Sequence, residues 1–274
     1  MDSKGKPISD QTDEPFRERI ELLKVPVDIV KPENLQRVVF ELLEHKTPEN
    51  IVLLSTRDLL RARLKGEFGD YVKNAALVIP ISKSVVNGAS FLTGKTPARY
   101  MPFNFVVSLL TMLEQREFSI YLLGGKSAVL AQTEKNIKQT FPRLQVIGRF
   151  PCPIKKYAEQ TLTQSIRKSS PSLLLVGEGV HGGERWIAKN STRLNSGLRL
   201  WCSDIYSVFA KRRHHPSKAV FDRGLEWVGY CVKNPLRIFR LFPLIYYAFL
   251  LLFYKIFKKN QSGPAFKGDG QEKS

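Results

Sequence analysis

The chain is 274 residues long, 43% hydrophobic, and carries a formal net charge of +18. The length allows one α/β domain of ordinary size with an appendage, and the apolar share suffices for a sizeable core. The charge favours anionic partners, and the three cysteines (Cys152, Cys202 and Cys231) lack metal-ligand spacing and suit a reducing compartment.

Residues 1–16 are polar and read as a disordered tail without the apolar stretch of a signal peptide, so the protein is expected to stay in the cytosol. A short apolar run, Val25-Pro26-Val27-Asp28-Ile29-Val30, precedes a helix opened by Glu33 and Asn34. Leu35, Val38, Val39, Leu42 and Leu43 recur in that helix at helical spacing. Ile51-Val52-Leu53-Leu54 suits a buried strand, and Leu59, Leu60, Leu64 and Phe68 suit a helix. The alternation continues with a strand over Ala76-Leu77-Val78-Ile79-Pro80, a helix marked by Val106, Leu109, Leu110 and Leu113, and a strand from Phe118 to Leu123. Val129, Leu130, Ile137 and Phe141 mark the next helix, and Leu144-Gln145-Val146-Ile147-Gly148 the next strand. Tyr157, Ala158, Leu162 and Ile166 follow as a helix, then strands at Leu173-Leu174-Leu175-Val176 and Leu198-Arg199-Leu200-Trp201-Cys202. Apolar strands alternating with amphipathic helices predict an α/β fold: a mostly parallel, Rossmann-like sheet covered by helices on both faces. Ligands then bind beyond the carboxyl ends of the strands, at the loops after Leu54, Pro80, Leu123 and Val176.

The α/β domain is expected to span residues 17–210, followed by a basic helical C-terminal appendage over 211–259 and a polar tail over 260–274. Residues 185–259 hold fifteen lysines and arginines against Asp204, Asp222 and Glu226. Within them, Gly224-Leu225-Glu226-Trp227-Val228 starts a helix that Pro235 should end. Residues 241–254 are uninterruptedly apolar and aromatic, with Arg237 and Arg240 before them and Lys255, Lys258 and Lys259 after. The run is short of the ~20 residues a spanning helix needs. Its basic flanks and aromatic ends favour an interfacial seat on an anionic membrane, while a span, a core helix or a homo-oligomer contact stay open.

Three loops carry candidate chemistry. Gly124-Gly125-Lys126-Ser127 joins a strand to a helix and is either a tight turn or a diphosphate contact through backbone amides. It is no NTPase loop, because Ile120 stands where a further glycine is required. Gly177-Glu178-Gly179-Val180-His181-Gly182 fits G-x-G-x-x-G but lies late in the sheet and lacks a well-placed acid, Asp204 being too distant. Glu184, in Glu184-Arg185-Trp186, is either a helix-dipole partner or a sugar- or base-contacting carboxylate. The histidines show no ligand spacing, so neither a metal nor another cofactor is expected. The basic residues flank apolar runs instead of interleaving with aromatics, which argues against nucleic acid.

Taken in order, these segments resemble the WecG/TagA/CpsF glycosyltransferases (glycosyltransferase family 26) from about Val25 to Arg240. Asn74-Ala75-Ala76-Leu77-Val78-Ile79-Pro80 is similar to N-A-D-L-V-x-P, Leu122-Leu123-Gly124-Gly125-Lys126 to L-L-G-G-K-P, and Arg143-Leu144-Gln145-Val146-Ile147-Gly148 to x-L-x-I-V-G. Leu175-Val176-Gly177-Glu178-Gly179 with Glu184-Arg185-Trp186-Ile187 resembles L-V-G-x-G-x-P-K-Q-E-x-W-I, and Gly224-Leu225-Glu226-Trp227 and Asn234-Pro235-Leu236-Arg237 resemble G-L-E-W and E-P-x-R. The resemblance implies an inverting, metal-independent enzyme at the inner face of the cell membrane. It would move an N-acetylmannosamine-type sugar from a UDP donor to a polyprenyl-diphosphate-linked acceptor in surface-polysaccharide assembly. The implied donor contacts are Ser55, Arg99, Gly124, Gly125, Lys126, Gly177, Gly179 and Glu184, and Arg212, Arg213, Arg237 and Arg240 would meet the lipid diphosphate.

The catalytic positions depart from the pattern. The family's P-D-G-x-G, whose aspartate is the proposed general base, is Pro80-Ile81-Ser82-Lys83-Ser84 here, and isoleucine accepts no proton. T-x-N becomes Leu53-Leu54-Ser55, only Arg99 survives of R-x-x-G-x-D, P-K-Q-E becomes His181-Gly182-Gly183-Glu184, and near Ile205-Tyr206-Ser207 an F-D-F loses its carboxylate. Either another base such as Glu178 or Glu184 serves, or the protein is a membrane-bound binding or scaffold subunit without turnover.

Overall fold

The computed structural model describes residues 15–45, 47–180, 182–214, 217–224 and 242–257, with 218 and 219 described by backbone alone. The strands are β1 (Arg17–Leu22), β2 (Val25–Val30), β3 (Glu49–Leu54), β4 (Leu77–Pro80), β5 (Ser119–Leu123), β6 (Gln145–Phe150), β7 (Leu173–Val176) and β8 (Leu198–Trp201). The helices through the first half are α1 (Leu35–Glu44), α2 (Thr56–Ala62), α3 (Glu67–Lys73), α4 (Lys83–Thr93) and α5 (Pro102–Gln115). Then come α6 (Ser127–Thr140), α7 (Lys156–Ser169), α8 (Gly183–Asn190), α9 (Ile205–Phe209), α10 (Lys218–Arg223) and α11 (Phe242–Phe257). The predicted helix through Leu59–Phe68 is two, α2 and α3, and α4 was not among the predicted elements because its glycine, serines and asparagine dilute the apolar period.

Among the described residues, β3 to β8 form one sheet in the order β4-β3-β8-β7-β5-β6, and all five neighbouring pairs are parallel. This is the expected Rossmann-like α/β architecture. Alternate strand residues serve opposite faces. Val52, Leu54, Val78, Leu174 and Val176 join one core with residues of α2, α3, α4, α7 and α8. Ile51, Leu53, Leu77, Ile79, Leu173 and Leu175 join the other, under α1, α5 and α6. Both faces being covered, residues 51–54, Leu77–Pro80 and Leu173–Val176 are apolar without interruption, which is why they were legible, while β8 carries the buried Arg199 and the edge strand β6 has alternate residues exposed.

The run at 25–30 is the second strand of an antiparallel hairpin, β1-β2, that docks beside β4. Asp28 makes that join. Its carboxylate is buried, accepts two hydrogen bonds from Arg19 (2.8 and 2.9 Å) and one from Arg17 (3.2 Å), and takes the Val78 amide at 2.6 Å.

Helix α11 matches the predicted apolar run. It packs across α2 and α4, burying Tyr247 and Leu250, and a Cβ at Gly88 of α4 would overlap the Tyr247 hydroxyl. Lys255 Nζ donates to the Phe91 carbonyl (2.9 Å). The opposite face leaves Phe242, Ile245, Phe249 and Ile256 each more than 60% exposed. Among the described residues no helix is long and apolar enough to cross a membrane. The expected helix from Gly224-Leu225-Glu226-Trp227, and Asn234-Pro235-Leu236-Arg237, lie outside the described residues apart from Gly224.

Candidate active-site cleft

The carboxyl tips of β3, β4 and β8 open into a cleft with two adjoining lobes that share Thr56, Ile81, Ser82, Pro102, Cys202, Ser203 and Leu244. The smaller lobe, about 410 Å³, adds Ser55, Arg57, Asp58, Trp201 and Pro243. The larger, about 640 Å³, adds Lys83, Ser84, Asn87, Arg99, Asp204, Arg213 and His214.

Local structure fixes this lining. Ser55 caps α2 in a capping box: its hydroxyl accepts from the Asp58 amide (3.2 Å), and the Asp58 carboxylate takes the Ser55 amide (3.4 Å) and hydroxyl. Ser82 Oγ accepts from the Thr56 amide (3.3 Å), and the Thr56 and Ser84 hydroxyls bond each other, so the starts of α2 and α4 are tied side by side. Arg99 donates to the carbonyls of Ile81 (2.9 Å) and Phe221, and its guanidinium lies 3.7 Å from the centre of the Phe221 ring. Lys83 Nζ donates to the Asp222 carbonyl at 3.0 Å. Two cations thus hold the C-terminal, dipole-negative end of α10 as a wall of the larger lobe. Arg213 and Asp204 form an ion pair at 2.5 Å. Burial first, then the charges of Asp204 and Glu178, push the Cys202 thiol up to about 12, so it is no thiolate nucleophile at neutral pH.

Of the residues singled out from sequence, Ser55, Ile81, Arg99 and Arg213 meet in this cleft. The glycine loops do not line it. Gly124 and Gly125 have φ of +121° and +67°, and their amides are spent on the carbonyls of Phe150 (2.9 Å) and Glu178 (2.5 Å). Gly177 and Gly125 pack against the ring of Tyr206, and Gly179 packs on Cys152. The fully buried Tyr206 hydroxyl accepts from the Leu123 amide (2.9 Å) and donates to the Leu175 carbonyl (2.5 Å), so a side chain of the protein itself fills the tips of β5 and β7. Lys126 is exposed at the start of α6. Glu178 accepts from the Tyr206 amide (3.1 Å) and the Ser207 hydroxyl (2.6 Å), capping the first turn of α9. Arg212 is exposed, with its amide on the Ser207 carbonyl, and Arg237 and Arg240 lie outside the described residues.

Glu184 is buried in the first turn of α8, away from the cleft lining. Burial, helped by the charge of Asp58, raises its carboxyl above the usual range against the opposing pull of its own amide and of Arg61. A raised folded-state value means that the folded chain binds this proton more tightly than the unfolded one. The stabilisation is complete below the unfolded value, near pH 4.5, and is lost as pH rises through the folded value. Glu184→Gln is therefore expected to raise the melting temperature at pH 7.5 and to leave it unchanged at pH 4. An equal shift at both pH values would contradict the assignment.

Sequence reasoning placed the loops after Leu54 and Pro80 at the site but did not single out Asp58, Thr56 or Trp201 as lining it. The readable signal was Ser55-Thr56-Arg57-Asp58, a capping box directly after an apolar strand.

The profile of the glycosyl transferase WecG/TagA/CpsF family matches residues 20–262. The chain is 20% identical over 203 residues to the N-acetylglucosaminyldiphosphoundecaprenol N-acetyl-beta-D-mannosaminyltransferase of Bacillus spizizenii strain W23, covering 74% of this chain and 77% of the relative. It is 19% identical over 187 residues to the protein of the same name from Bacillus subtilis strain 168, covering 68% and 72%. The cleft at the strand tips, its residues inside the matched region, and the parallel sheet agree with that match, and the chain belongs to the glycosyl transferase WecG/TagA/CpsF family.

Proposed function

We propose that the protein transfers an N-acetylmannosamine-type sugar from a UDP donor to a polyprenyl-diphosphate-linked N-acetylglucosamine at the inner face of the cell membrane. The observation that carries this reading is the two-lobed cleft, cationic in its larger lobe and bordered along both lobes by the start of an apolar helix. Lys83 and Arg99 would neutralise charge on the donor diphosphate in the larger lobe, a role that oriented cations fill by stabilising the leaving group. Pro243 and Leu244 border the smaller lobe, so an acceptor held in lipid by its prenyl chain would bring its sugar in beside α11. The exposed Ile245, Phe249 and Ile256 face would rest in the headgroup region, with the neighbouring lysines and arginines on anionic lipid at about 1 kcal/mol each.

With UDP-N-acetylmannosamine and the lipid acceptor in anionic vesicles, transfer and release of UDP are expected, and both should fall when Phe249 is replaced by Glu. Transfer that is indifferent to vesicles and to Phe249→Glu would remove the membrane part of the reading. A second reading, donor binding without turnover, is favoured by Ile81 at the position of the family carboxylate and by Tyr206 filling the tips of β5 and β7. UDP binding with no transfer from any UDP-sugar tried would decide for it.

A further inference from the structure

We propose that Asp58 is the proton acceptor of the transfer reaction, taking the proton of the acceptor hydroxyl in the smaller lobe. The inference rests on the transfer reading above and deepens it by naming the base.

Among the described residues four carboxylates lie around the strand tips, and their surroundings separate them. Glu178 and Glu184 line neither lobe, and Asp204, in the larger lobe, is paired with Arg213. Asp58 lines the smaller lobe, and its hydrogen bonds among the described residues all run to Ser55. The capping box fixes the carboxylate at the first turn of α2, so its direction is set before a substrate arrives. Its lining suits a sugar acceptor carried by lipid: Trp201, the hydroxyl-bearing Ser55 and Thr56, and Leu244 at the start of the apolar helix. Burial raises the Asp58 carboxyl above the ordinary aspartate range, more than the Ser55 hydrogen bonds and the charges of Arg61 and Arg57 lower it. That makes it a stronger base than a free aspartate.

The acceptor hydroxyl oxygen bonds to the anomeric carbon of the donor, and its proton passes to the Asp58 carboxylate. The bond from that carbon to the diphosphate oxygen breaks, and the electron pair leaves with UDP. The proton on Asp58 later returns to water. Attack from the smaller lobe with departure toward the cationic larger lobe inverts the anomeric centre.

The test compares four proteins: wild type, Asp58→Asn, Ile81→Asp, and the Asp58→Asn/Ile81→Asp double variant. Transfer is measured with the lipid acceptor, and UDP affinity by calorimetry. Removal of a general base typically costs about 10²–10⁴ in rate, and a loss of that order is expected in Asp58→Asn, with UDP affinity unchanged. Ile81 lines the same lobe, so a carboxylate there should restore part of the rate in the double variant. A single variant as fast as wild type overturns the inference and leaves the transfer reading standing. So does a loss accompanied by lost UDP affinity, or one that Ile81→Asp does not relieve, since both assign Asp58 to holding the α2 cap. A wild type inert with every UDP-sugar overturns the transfer reading itself, and this inference with it.

Discussion

Tyr206→Ala is expected to destabilise the fold by about 3–5 kcal/mol, the usual cost of deleting a large buried side chain that leaves a cavity. The ring is fully buried at the tips of β5 and β7, and Gly177 and Gly125 exist as glycines beside it because a side chain there would run into it. Tyr206→Phe keeps the ring but strands the buried Leu123 amide and the Leu175 carbonyl, for about 1–3 kcal/mol. Denaturant unfolding of both variants gives the comparison. A Phe variant as stable as wild type would mean that those backbone groups have other partners. The same variants bear on ligand position. With the donor over β3, β4 and β8, opening the space behind the Gly124-Gly125 loop should not improve UDP affinity. A clear gain in Tyr206→Ala would instead reveal a diphosphate site that the tyrosine blocks.

Asp28→Ala is expected to cost about 3–5 kcal/mol, because breaking a buried ion pair from one side leaves the other charge uncompensated. Asp28 has a fully buried side chain, and Arg17 and Arg19 are only 24% and 30% exposed, so solvent screens the pair little. The substitution also strands the Val78 amide on the outer edge of the sheet, where the hairpin docks. Asp28→Asn should be milder, since its carbonyl oxygen can still accept from Val78 while the charge is lost. Thermal unfolding of the two variants, with Arg19→Ala alongside, checks the ordering Ala worse than Asn. If Asp28→Ala melts within a degree of wild type, Asp28 does not hold the hairpin to the sheet.

Much of the architecture was legible because burial on both faces imposes a pattern that needs no partner to be seen. Leu173-Leu174-Leu175-Val176 reads as a strand by itself, and Val129, Leu130 and Ile137 read as one face of a helix. The family resemblance was legible for the same reason, as segments in order. The site was less so. Gly124-Gly125-Lys126-Ser127 has the composition of an anion loop, yet its two glycine amides are consumed by the carbonyls of Phe150 in β6 and Glu178 in the loop after β7. Glu178 and Glu184 were the carboxylates nearest to recognisable motifs, and both are held by packing within the fold. Asp58 belongs to a capping box, which by itself signals only a helix start, and the neighbouring β4 and β8 bring it to face a cleft.

By itself the amino-acid order determined the strands of the parallel sheet, most of the helices that cover it, and the basic, apolar C-terminal segment, since each follows from local periodicity and charge. Tertiary structure alone decided that β8, the last strand in sequence, lies between β3 and β7, which sets Trp201, Cys202 and Ser203 beside Ser55 and Asp58. It also decided that Tyr206 closes one set of strand tips while another stays open. The physical reason is that a loop amide can hold an anion only if no carbonyl of the fold has already taken its hydrogen bond, and for Gly124 and Gly125 those carbonyls are distant in sequence.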